Sequence, residues 1–385
     1  MIRVLVVEDS LTMQAVLGEV LSSDPGIQIV GTAVNGAEGV LLARSLKPDV
    51  ITMDIRMPVM DGFEATRQIM QECPTRIVVV SASVNSPDLN ISFNAIKAGA
   101  LDVVEKPAGG GADFQTISER LISSVKLMSE VQVVRHRKPG VGSSGVFASP
   151  LSASASQSSP IRSSGTQTLL KSSDYPVARP SSIPTAGASG ILRVGREAPA
   201  ILAVGSSTGG PAALSVFLKG LPTGLTVPVV IVQHVTSGFG QGMVDWLQSE
   251  CALPLRIGVQ DQRIYPGEVY FAPDDYHMIL QRRSILSLTR APKVSFVRPS
   301  ATVLFQSVAT HYSNQALGVI LTGMGNDGAL GLKEMHDAGA VTFAQDEATS
   351  VVYGMPKAAV ELNAVDHILP LPAISGQIAR LCKAG

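Results

Sequence analysis

The stretch VITMDIRMPVMDG, residues 50–62, decides the fold of the first part of the chain. Its first four residues, Val50–Met53, form an apolar run that ends directly at Asp54. A run without polar alternation is typical of a parallel strand that is covered on both faces. Met57-Pro58 supplies turn residues before a helical pattern at Gly62–Gln71. An acidic residue that ends such a strand lies where open α/β sheets place their chemistry.

The same alternation of short apolar runs and helical patterns extends through the first part of the chain. Further strands are expected at Val4–Val7, Gln28–Val34, Ile77–Val80 and Asp102–Val104, and helices at Leu11–Leu21, Ala37–Ser45 and Leu89–Ala98. Strands separated by crossover-length segments are joined in parallel. The pattern therefore predicts an α/β fold with a doubly wound, five-stranded parallel sheet of flavodoxin-like topology.

Charged and polar side chains follow the ends of these strands. They are Glu8 and Asp9 after the first strand, Asp54 after the third, Ser81 at the end of the fourth and Lys106 after the fifth. A parallel sheet gathers all of them at one edge. Three carboxylates in one pocket repel each other unless a hard cation compensates them, and Mg²⁺ with oxygen ligands fits. We expect Mg²⁺ at Glu8, Asp9 and Asp54, with Lys106 neutralising a phosphoryl group on Asp54.

The order and spacing of these residues resemble the response-regulator receiver family across about residues 1–128. Its most specific part is MDIRMPVMDG, residues 53–62. The resemblance implies that Asp54 is phosphorylated from a histidine kinase in the presence of Mg²⁺. It also implies that Ser81 and Lys106 report the phosphoryl group to the rest of the domain. The family often has two Asp where this chain has Glu8-Asp9, a change that should preserve metal binding.

A change in composition separates this region from the rest of the chain. Between Val141 and Gly190, 15 of 50 residues are serine and Asp174 is the single acidic residue. Such a composition buries too little apolar surface to offset chain entropy, so it predicts a flexible linker. We therefore expect a receiver domain at residues 1–130, a Ser/Pro/Gly-rich linker at 131–195 and a second domain at 196–385.

The second domain again alternates strands with helices. Apolar strands are expected at Ile201–Val204, Val227–Val232, Gly318–Leu321 and Val341–Ala344. The region Leu255–Thr289, with a turn at Tyr265-Pro266-Gly267, predicts hairpins. The pattern therefore predicts a second α/β domain with a mostly parallel sheet and a β-hairpin insertion.

GSSTGG, residues 205–210, directly follows the strand ILAV and precedes a helical pattern. The first five of these residues fit G-x-S-x-G, a sharp strand-to-helix turn that exposes a serine. A Gly/Ser-rich turn of this kind is at least as often a phosphate- or nucleotide-binding loop. A lysine after Gly210, which a P-loop requires, is absent, and so is the acidic ribose ligand of a dinucleotide site.

A serine nucleophile needs a base and an acid that orients the base. His234 ends the apolar run VPVVIVQH, and Asp327 follows the strand GVIL. Ser207, His234 and Asp327 therefore all follow strand ends, where a parallel sheet collects catalytic groups. This order along the chain differs from that of α/β-hydrolases and indicates a distinct fold with the same triad. The remaining histidines are His277 in the hairpin region and His136, His311, His336 and His367 in linker-proximal, helical or turn contexts.

GSSTGGP, VQH, YFAPDDYHM, RPS and LTGMGNDG resemble the catalytic domain of chemotaxis protein-glutamate methylesterases across about residues 198–381. The resemblance implies Ser207 as the nucleophile, His234 as the base and Asp327 as its orienting acid. It implies that the backbone N–H groups of Thr208 and Met324 form the oxyanion hole.

The same resemblance implies the substrate and the regulation. The substrates would be methylated glutamates on the cytoplasmic helices of chemoreceptors, with deamidation of receptor glutamines as a second activity. The ester chemistry would need no cofactor, and the receiver domain would obstruct the site until Asp54 is phosphorylated. Arg298, in the RPS motif, is a candidate for contact with acidic receptor surfaces.

Composition narrows the alternatives. The net charge of −1 offers no electrostatic case for nucleic-acid binding, and no apolar stretch reaches the ~20 residues of a membrane span. Three separated cysteines and the absence of a signal-peptide pattern favour the cytoplasm. A response regulator whose second domain only binds a partner, or a nucleotide-binding domain at GSSTGG, remain the alternatives, and a DNA-binding output is the weakest.

Overall fold

The computed structural model describes residues 1–81, 95–96, 98–107, 112–131, 198–236, 238–282 and 284–383. The predicted helix Leu89–Ala98 falls mostly outside the described residues, and the linker predicted at 131–195 falls outside them after residue 131. The two α/β domains belong to one compact unit. Within the described part of the chain, no helix has the length and apolar character needed to cross a membrane.

The N-terminal domain is a parallel sheet flanked by helices. Its strands are β1 (Ile2–Val7), β2 (Ile27–Ala33), β3 (Val50–Met53), β4 (Arg76–Ser81) and β5 (Asp102–Glu105), and its described full helices are α1 (Leu11–Ser22), α2 (Gly36–Leu46), α3 (Gly62–Glu72) and α4 (Ala112–Glu130). The strand order is β2-β1-β3-β4-β5, with every pairing parallel. The predicted five-stranded parallel sheet is confirmed.

Alternation along β1 explains why both faces of this sheet are covered. Val4 and Val6 are buried in an apolar cluster shared with α1 and α4, whereas Leu5 and Val7 are buried in a cluster shared with α2 and α3. A strand that is buried on both faces has an uninterrupted apolar sequence. The helices begin at side chains that suit helix starts, such as Asp61, which accepts a hydrogen bond from the Glu64 N–H at 2.8 Å.

The C-terminal domain contains a larger parallel sheet. Its strands are β6 (Ile201–Ser206), β7 (Val229–Gln233), β8 (Leu255–Ile257), β9 (Val269–Phe271), β10 (His277–Gln281), β11 (Ile285–Thr289), β12 (Ala316–Ile320), β13 (Val341–Gln345) and β14 (His367–Leu369). Its helices are α5 (Gly210–Lys219), α6 (Gly240–Glu250), α7 (Ala301–Tyr312), α8 (Ala329–Asp337), α9 (Met355–Glu361) and α10 (Leu371–Lys383), with a 3₁₀ turn at Ser313–Gln315. Seven strands form one sheet in the order β14-β13-β12-β6-β7-β9-β8, which confirms the predicted parallel architecture.

The expectation of hairpins throughout Leu255–Thr289 is wrong in its first half. β8 and β9 pair in parallel, with Leu255 opposite Val269, and both extend the large sheet. Strands of three residues are too short for alternation to indicate their direction. Only β10 and β11 form the predicted hairpin, an antiparallel pair that stands outside the large sheet.

In each sheet the chain builds outward on one side of its first strand and then continues on the other side of that strand. In the N-terminal sheet the chain builds outward from β1 to β2 on one side and from β3 onward on the other. In the C-terminal sheet it builds from β6 through β7 on one side and returns to β12 on the other. Crevices beyond the carboxyl ends of such neighbouring strands are the usual binding positions in α/β folds.

Candidate functional site

Ser207 lies in the turn between β6 and α5. The helix begins at Gly210, and the positive φ in the turn falls on Gly209, at 74°. The Ser207 N–H donates a hydrogen bond to the Thr322 carbonyl at 3.0 Å, and the Gly210 N–H donates to the Ser207 carbonyl at 2.7 Å. The turn therefore holds Ser207 at the crevice between β6 and β12.

The buried amide of Gln233, the last residue of β7, joins this turn to the next strand. Its Oε1 accepts a hydrogen bond from Ser206 Oγ at 2.6 Å, and its Nε2 donates to the carbonyls of Ser207 and His234, each at 2.8 Å. One side chain thus fixes the backbone of both Ser207 and His234. Sequence reasoning missed this residue, although a polar side chain at the end of an apolar strand was an available signal.

His234 and Asp327 form a close pair. His234 Nε2 lies 2.9 Å from Asp327 Oδ2, and the two side chains are 13% and 3% exposed. When Nε2 donates its proton to the carboxylate, Nδ1 of a neutral imidazole is left as an acceptor. Within the described residues, Ser207 Oγ and His234 form no hydrogen bond, although both side chains line one cavity.

The start of α7 holds the Asp327 carboxylate. Its Oδ1 accepts hydrogen bonds from Ser300 Oγ at 2.6 Å and the Thr302 N–H at 3.2 Å, and its Oδ2 accepts one from the Ala301 N–H at 2.6 Å. Burial raises the pKa of Asp327, but the hydrogen bonds from His234 and from the start of α7 outweigh it, so the pKa is lowered overall. Free N–H groups and the helix dipole favour a negative charge at this position.

A second histidine, His277, forms a hydrogen bond with the residue that precedes α7. It is fully buried in β10; its Nδ1 accepts a hydrogen bond from the Ser300 N–H at 3.2 Å, and its Nε2 lies 3.0 Å from the Pro292 carbonyl. These two partners require the tautomer that carries its proton on Nε2. The sequence placed His277 in the hairpin region but held no local sign of this contact, because Ser300 lies 23 residues away.

The predicted oxyanion donors flank Ser207. Among the described residues, neither the Thr208 N–H nor the Met324 N–H donates a hydrogen bond to the protein. Thr322 Oγ1 donates to the Thr208 carbonyl at 3.0 Å, which joins the two loops. A Cβ on Gly323 would lie 2.8 Å from the Cβ of Ser207, so a glycine is needed for the second loop to approach the serine this closely.

A cavity of about 570 Å³ contains these groups. Its C-terminal-domain lining includes Ser207, Thr208, His234, Phe296, Met324 and Asp327. The N-terminal domain contributes Asp102, Arg120, Ser123, Ser124 and Leu127, so residues of α4 form a wall of the same cavity.

The loop after β13 also contacts the N-terminal domain. Val351 and Val352 pack against the apolar cluster that α4 shares with the N-terminal sheet. Val352 is tied to the serine region as well, because its N–H donates to Thr322 Oγ1 at 2.9 Å. The N-terminal domain and the loops around the serine are therefore in direct contact.

The acidic pocket of the N-terminal domain brings together all three predicted metal ligands. Carboxylate oxygens of Glu8, Asp9 and Asp54 lie within 4.8 Å of one another. Lys106 Nζ lies 2.8 Å from Glu8 Oε2 and 3.1 Å from Asp54 Oδ1. Burial raises the pKa of Glu8 and of Asp54, against the lowering effect of Lys106. Two of these carboxylates, Glu8 and Asp54, are buried, Asp9 is exposed, and an oxygen-only donor set of this kind fits a hard divalent cation.

Ser81 and Gly62 complete the edge of this pocket. Ser81 is buried at the end of β4, and its carbonyl accepts a hydrogen bond from the Lys106 N–H at 2.9 Å. The Gly62 N–H donates to the Ile55 carbonyl at 2.9 Å, and any side chain at Gly62 would overlap the Asp54 carbonyl. The glycine of the MDG motif is thus required by the close approach of α3 to the backbone of Asp54.

Arg298 has a role inside the domain. Its guanidinium donates to Asp275 Oδ1 at 3.0 and 2.6 Å and to the carbonyls of Arg290 and Ala291, each at 3.0 Å. The side chain is only 17% exposed. The Arg298 N–H groups that would contact an acidic receptor surface therefore already donate hydrogen bonds within the domain. This argues against the expected contact.

Each of the two domains matches a known protein family. Residues 202–378 match the family described as CheB methylesterase, and residues 4–117 match the response regulator receiver domain. The protein-glutamate methylesterase/protein-glutamine glutaminase 1 of Syntrophus aciditrophicus (strain SB) is 39% identical over 385 residues, 99% of this chain and 98% of that protein. The protein-glutamate methylesterase/protein-glutamine glutaminase of Nitrosospira multiformis is 42% identical over 383 residues, 99% and 97% of the two chains. The crystal structure of the Thermotoga maritima CheB methylesterase catalytic domain is 34% identical, covers 48% of this chain and all of that one, and has a TM-score of 0.47.

Proposed function

The chain belongs to the protein-glutamate methylesterase/protein-glutamine glutaminase family, and we propose that it hydrolyses glutamate 5-O-methyl esters on chemoreceptors and deamidates receptor glutamines. The observation that carries the proposal is the shared cavity of Ser207, His234 and Asp327, with His234 Nε2 at 2.9 Å from Asp327. Full-length similarity to relatives named for these two activities supports the choice of substrate.

In this mechanism Ser207 Oγ attacks the γ-carbonyl carbon of the glutamyl ester, and Nδ1 of His234 accepts the serine proton. The imidazolium that results is stabilised by Asp327, whose lowered pKa keeps it ionised. The oxyanion binds the N–H groups of Thr208 and Met324.

Collapse of the tetrahedral intermediate breaks the bond to the methoxy group, which leaves as methanol with the proton from His234. Water, deprotonated by the same base, then hydrolyses the acyl-enzyme and regenerates Ser207. On a glutamine the leaving group is ammonia, and the acyl-enzyme is identical. Nucleophile, base and oxyanion donors are all protein groups, so we propose that the esterase step uses no cofactor.

The receiver domain regulates this reaction in our proposal. Arg120 and Leu127 of α4 line the cavity that holds Ser207, so the receiver restricts access for a protein substrate. Phosphorylation of Asp54 from a histidine kinase would shift the population toward an arrangement with the cavity open. Ser81 and Lys106, at the same edge of the sheet, would contact the phosphoryl group.

Glu8, Asp9 and Asp54 would hold Mg²⁺, which supplies charge compensation for the incoming phosphoryl group. Lys106 adds a second positive charge at the same position. The three cysteines are free thiols, which fits the cytoplasmic location expected from the sequence.

The test is methanol release from methylated chemoreceptor membranes, with and without a phosphodonor. Wild-type protein should release methanol and should do so faster with the phosphodonor. Ser207→Ala should release none, whereas Ser206→Ala should retain nucleophilic activity because Ser206 Oγ is engaged with Gln233. Full release by Ser207→Ala would remove the proposed mechanism.

A further inference from the structure

A two-residue turn at the rim of the cavity carries an exposed phenylalanine. Val294 and Val297 form an isolated antiparallel bridge, with N–H···O distances of 3.2 and 3.0 Å. Between them, Ser295 and Phe296 both have positive φ, at 50° and 65°. Two successive positive φ values are the pattern of a type I′ turn, which favours Asn and Gly.

Folding alone gives no reason for a phenylalanine here. Left-handed backbone is unfavourable for a bulky L-residue, and glycine would avoid the cost. Burial of the Phe296 ring does not offset this conformational cost, because the residue is 95% exposed. A strained backbone that presents an exposed aromatic side chain is a feature that functional sites retain.

The position of the turn indicates what the ring contacts. Residues Ser295–Val297 line the same cavity as Ser207 and His234. Met324, which is 51% exposed, lines it as well. The mouth of the cavity therefore presents apolar surface next to the proposed nucleophile, where a protein substrate must pass.

We propose that Phe296 is a substrate anchor whose ring packs against an aliphatic side chain about one helical turn from the esterified glutamate. The inference rests on the proposed function, because it requires a protein substrate with its ester at Ser207. An exposed aromatic ring gains free energy when an apolar partner removes it from water. The occupant is thus a substrate segment with an aliphatic residue beside the ester.

Two synthetic helical peptides of about 20 residues, long enough to hold helical structure, test the anchor. Each carries one glutamate 5-O-methyl ester; one has Leu four residues before and after it, and the other has Gln at both positions. With full-length protein and acetyl phosphate, wild type should hydrolyse the Leu peptide with a kcat/KM about ten-fold higher, equivalent to about 1.4 kcal/mol. The difference should lie mainly in KM.

Phe296→Gly removes the ring and places the preferred residue at φ 65°. Its thermal unfolding temperature should be no lower than that of wild type, while its preference for the Leu peptide falls below about two-fold. Phe296→Leu should keep most of the preference. The matched control is Tyr265→Ser, because Tyr265 is 53% exposed on the turn before β9, at the opposite end of the parallel strands from Ser207. This variant should keep the full preference.

Equal hydrolysis of the two peptides by wild type overturns the anchor, and so does a preference that survives Phe296→Gly. Hydrolysis of p-nitrophenyl acetate, which has no flanking residues, is measured in parallel. A wild-type protein that cleaves neither the peptides nor this small ester contradicts the esterase itself, so the two failures are distinguishable.

Discussion

Asp327 Oδ2 lies 2.9 Å from His234 Nε2, although the two residues follow different strands of the C-terminal sheet, β12 and β7. The same carboxylate is held by the first turn of α7 through Ser300 Oγ and the Ala301 N–H, both at 2.6 Å. His234 is therefore oriented by an acid that is itself fixed in position. Because Nε2 contacts Asp327, Nδ1 is the ring nitrogen left to accept the serine proton in the proposed mechanism, and this assignment can be tested.

We expect Asp327→Asn to lower kcat for ester hydrolysis by about 10³- to 10⁴-fold, as loss of the orienting carboxylate does in serine hydrolases. The carboxamide N–H can donate to Nε2, which moves the imidazole proton to Nδ1 and leaves no acceptor for the proton of Ser207. Methanol release from methylated receptor is the measurement. Asp337→Asn is the control, since Asp337 is an exposed partner of Lys333. A variant with kcat within about ten-fold of wild type would contradict the tautomer assignment.

The N-terminus of α7 provides a second test. Ser300→Ala removes one of the two shortest hydrogen bonds to the buried Asp327 carboxylate, which should lower the free energy of unfolding by about 1–3 kcal/mol. It should also lower kcat by about ten-fold, with little change in KM, because the position of Asp327 loosens.

Asn35→Ala is the matched control for Ser300→Ala. Asn35 starts α2 by accepting a hydrogen bond from the Glu38 N–H at 2.9 Å, and it does not line the serine cavity. Its loss should lower stability by about 1 kcal/mol without changing kcat. Equal kcat values for Ser300→Ala and wild type would show that Ser300 stabilises the fold only.

Much of the candidate site could be predicted because parallel strands end at one edge. Ser207, His234 and Asp327 each follow a strand that was recognisable as an apolar run. A parallel sheet formed from these strands is enough to predict that the three residues lie close together. The acidic pocket followed from the same argument. In both domains the crevice lies where the strand order reverses. It lies between β1 and β3 in the N-terminal sheet and between β6 and β12 in the C-terminal sheet.

The residues that hold the site residues in position through hydrogen bonds could not be predicted in the same way. Ser300 and His277 act across 27 and 23 residues of chain, through hydrogen bonds that leave no periodicity in the sequence. Gln233 is local, but its three hydrogen bonds depend on the turn geometry around Ser207. The direction of β8 and β9 was also hidden, because three-residue strands carry no usable pattern.

Arg120 tests the regulatory part of the proposal. Its side chain lines the cavity together with Ser207 and His234, although it belongs to the receiver helix α4. Arg120→Ala should widen the cavity and raise receptor demethylation without a phosphodonor by about three- to ten-fold, a shift that a coupling of about 1 kcal/mol can produce. The activity with a phosphodonor should change less, since the open arrangement then dominates.

Arg67→Ala is the control for Arg120→Ala, because Arg67 lies on α3 and pairs with Glu64 at the surface. It should leave demethylation without a phosphodonor at the wild-type rate. Unchanged activity in Arg120→Ala would mean that this side chain does not restrict the cavity.

Removal of divalent metal should separate phosphorylation from catalysis. Glu8, Asp9 and Asp54 are the expected Mg²⁺ ligands, whereas Ser207, His234 and Asp327 need no metal in the proposed mechanism. EDTA should therefore abolish the stimulation by acetyl phosphate and leave hydrolysis of p-nitrophenyl acetate without phosphodonor unchanged.

Asp54→Ala should reproduce the effect of EDTA on stimulation, and the two treatments together should have no additional effect, because both act at one site. Restoration by added Mg²⁺ in wild type, but not in Asp54→Ala, completes the test. If EDTA instead stopped hydrolysis of the small ester, a metal would take part in the serine chemistry and the metal-free mechanism would be wrong.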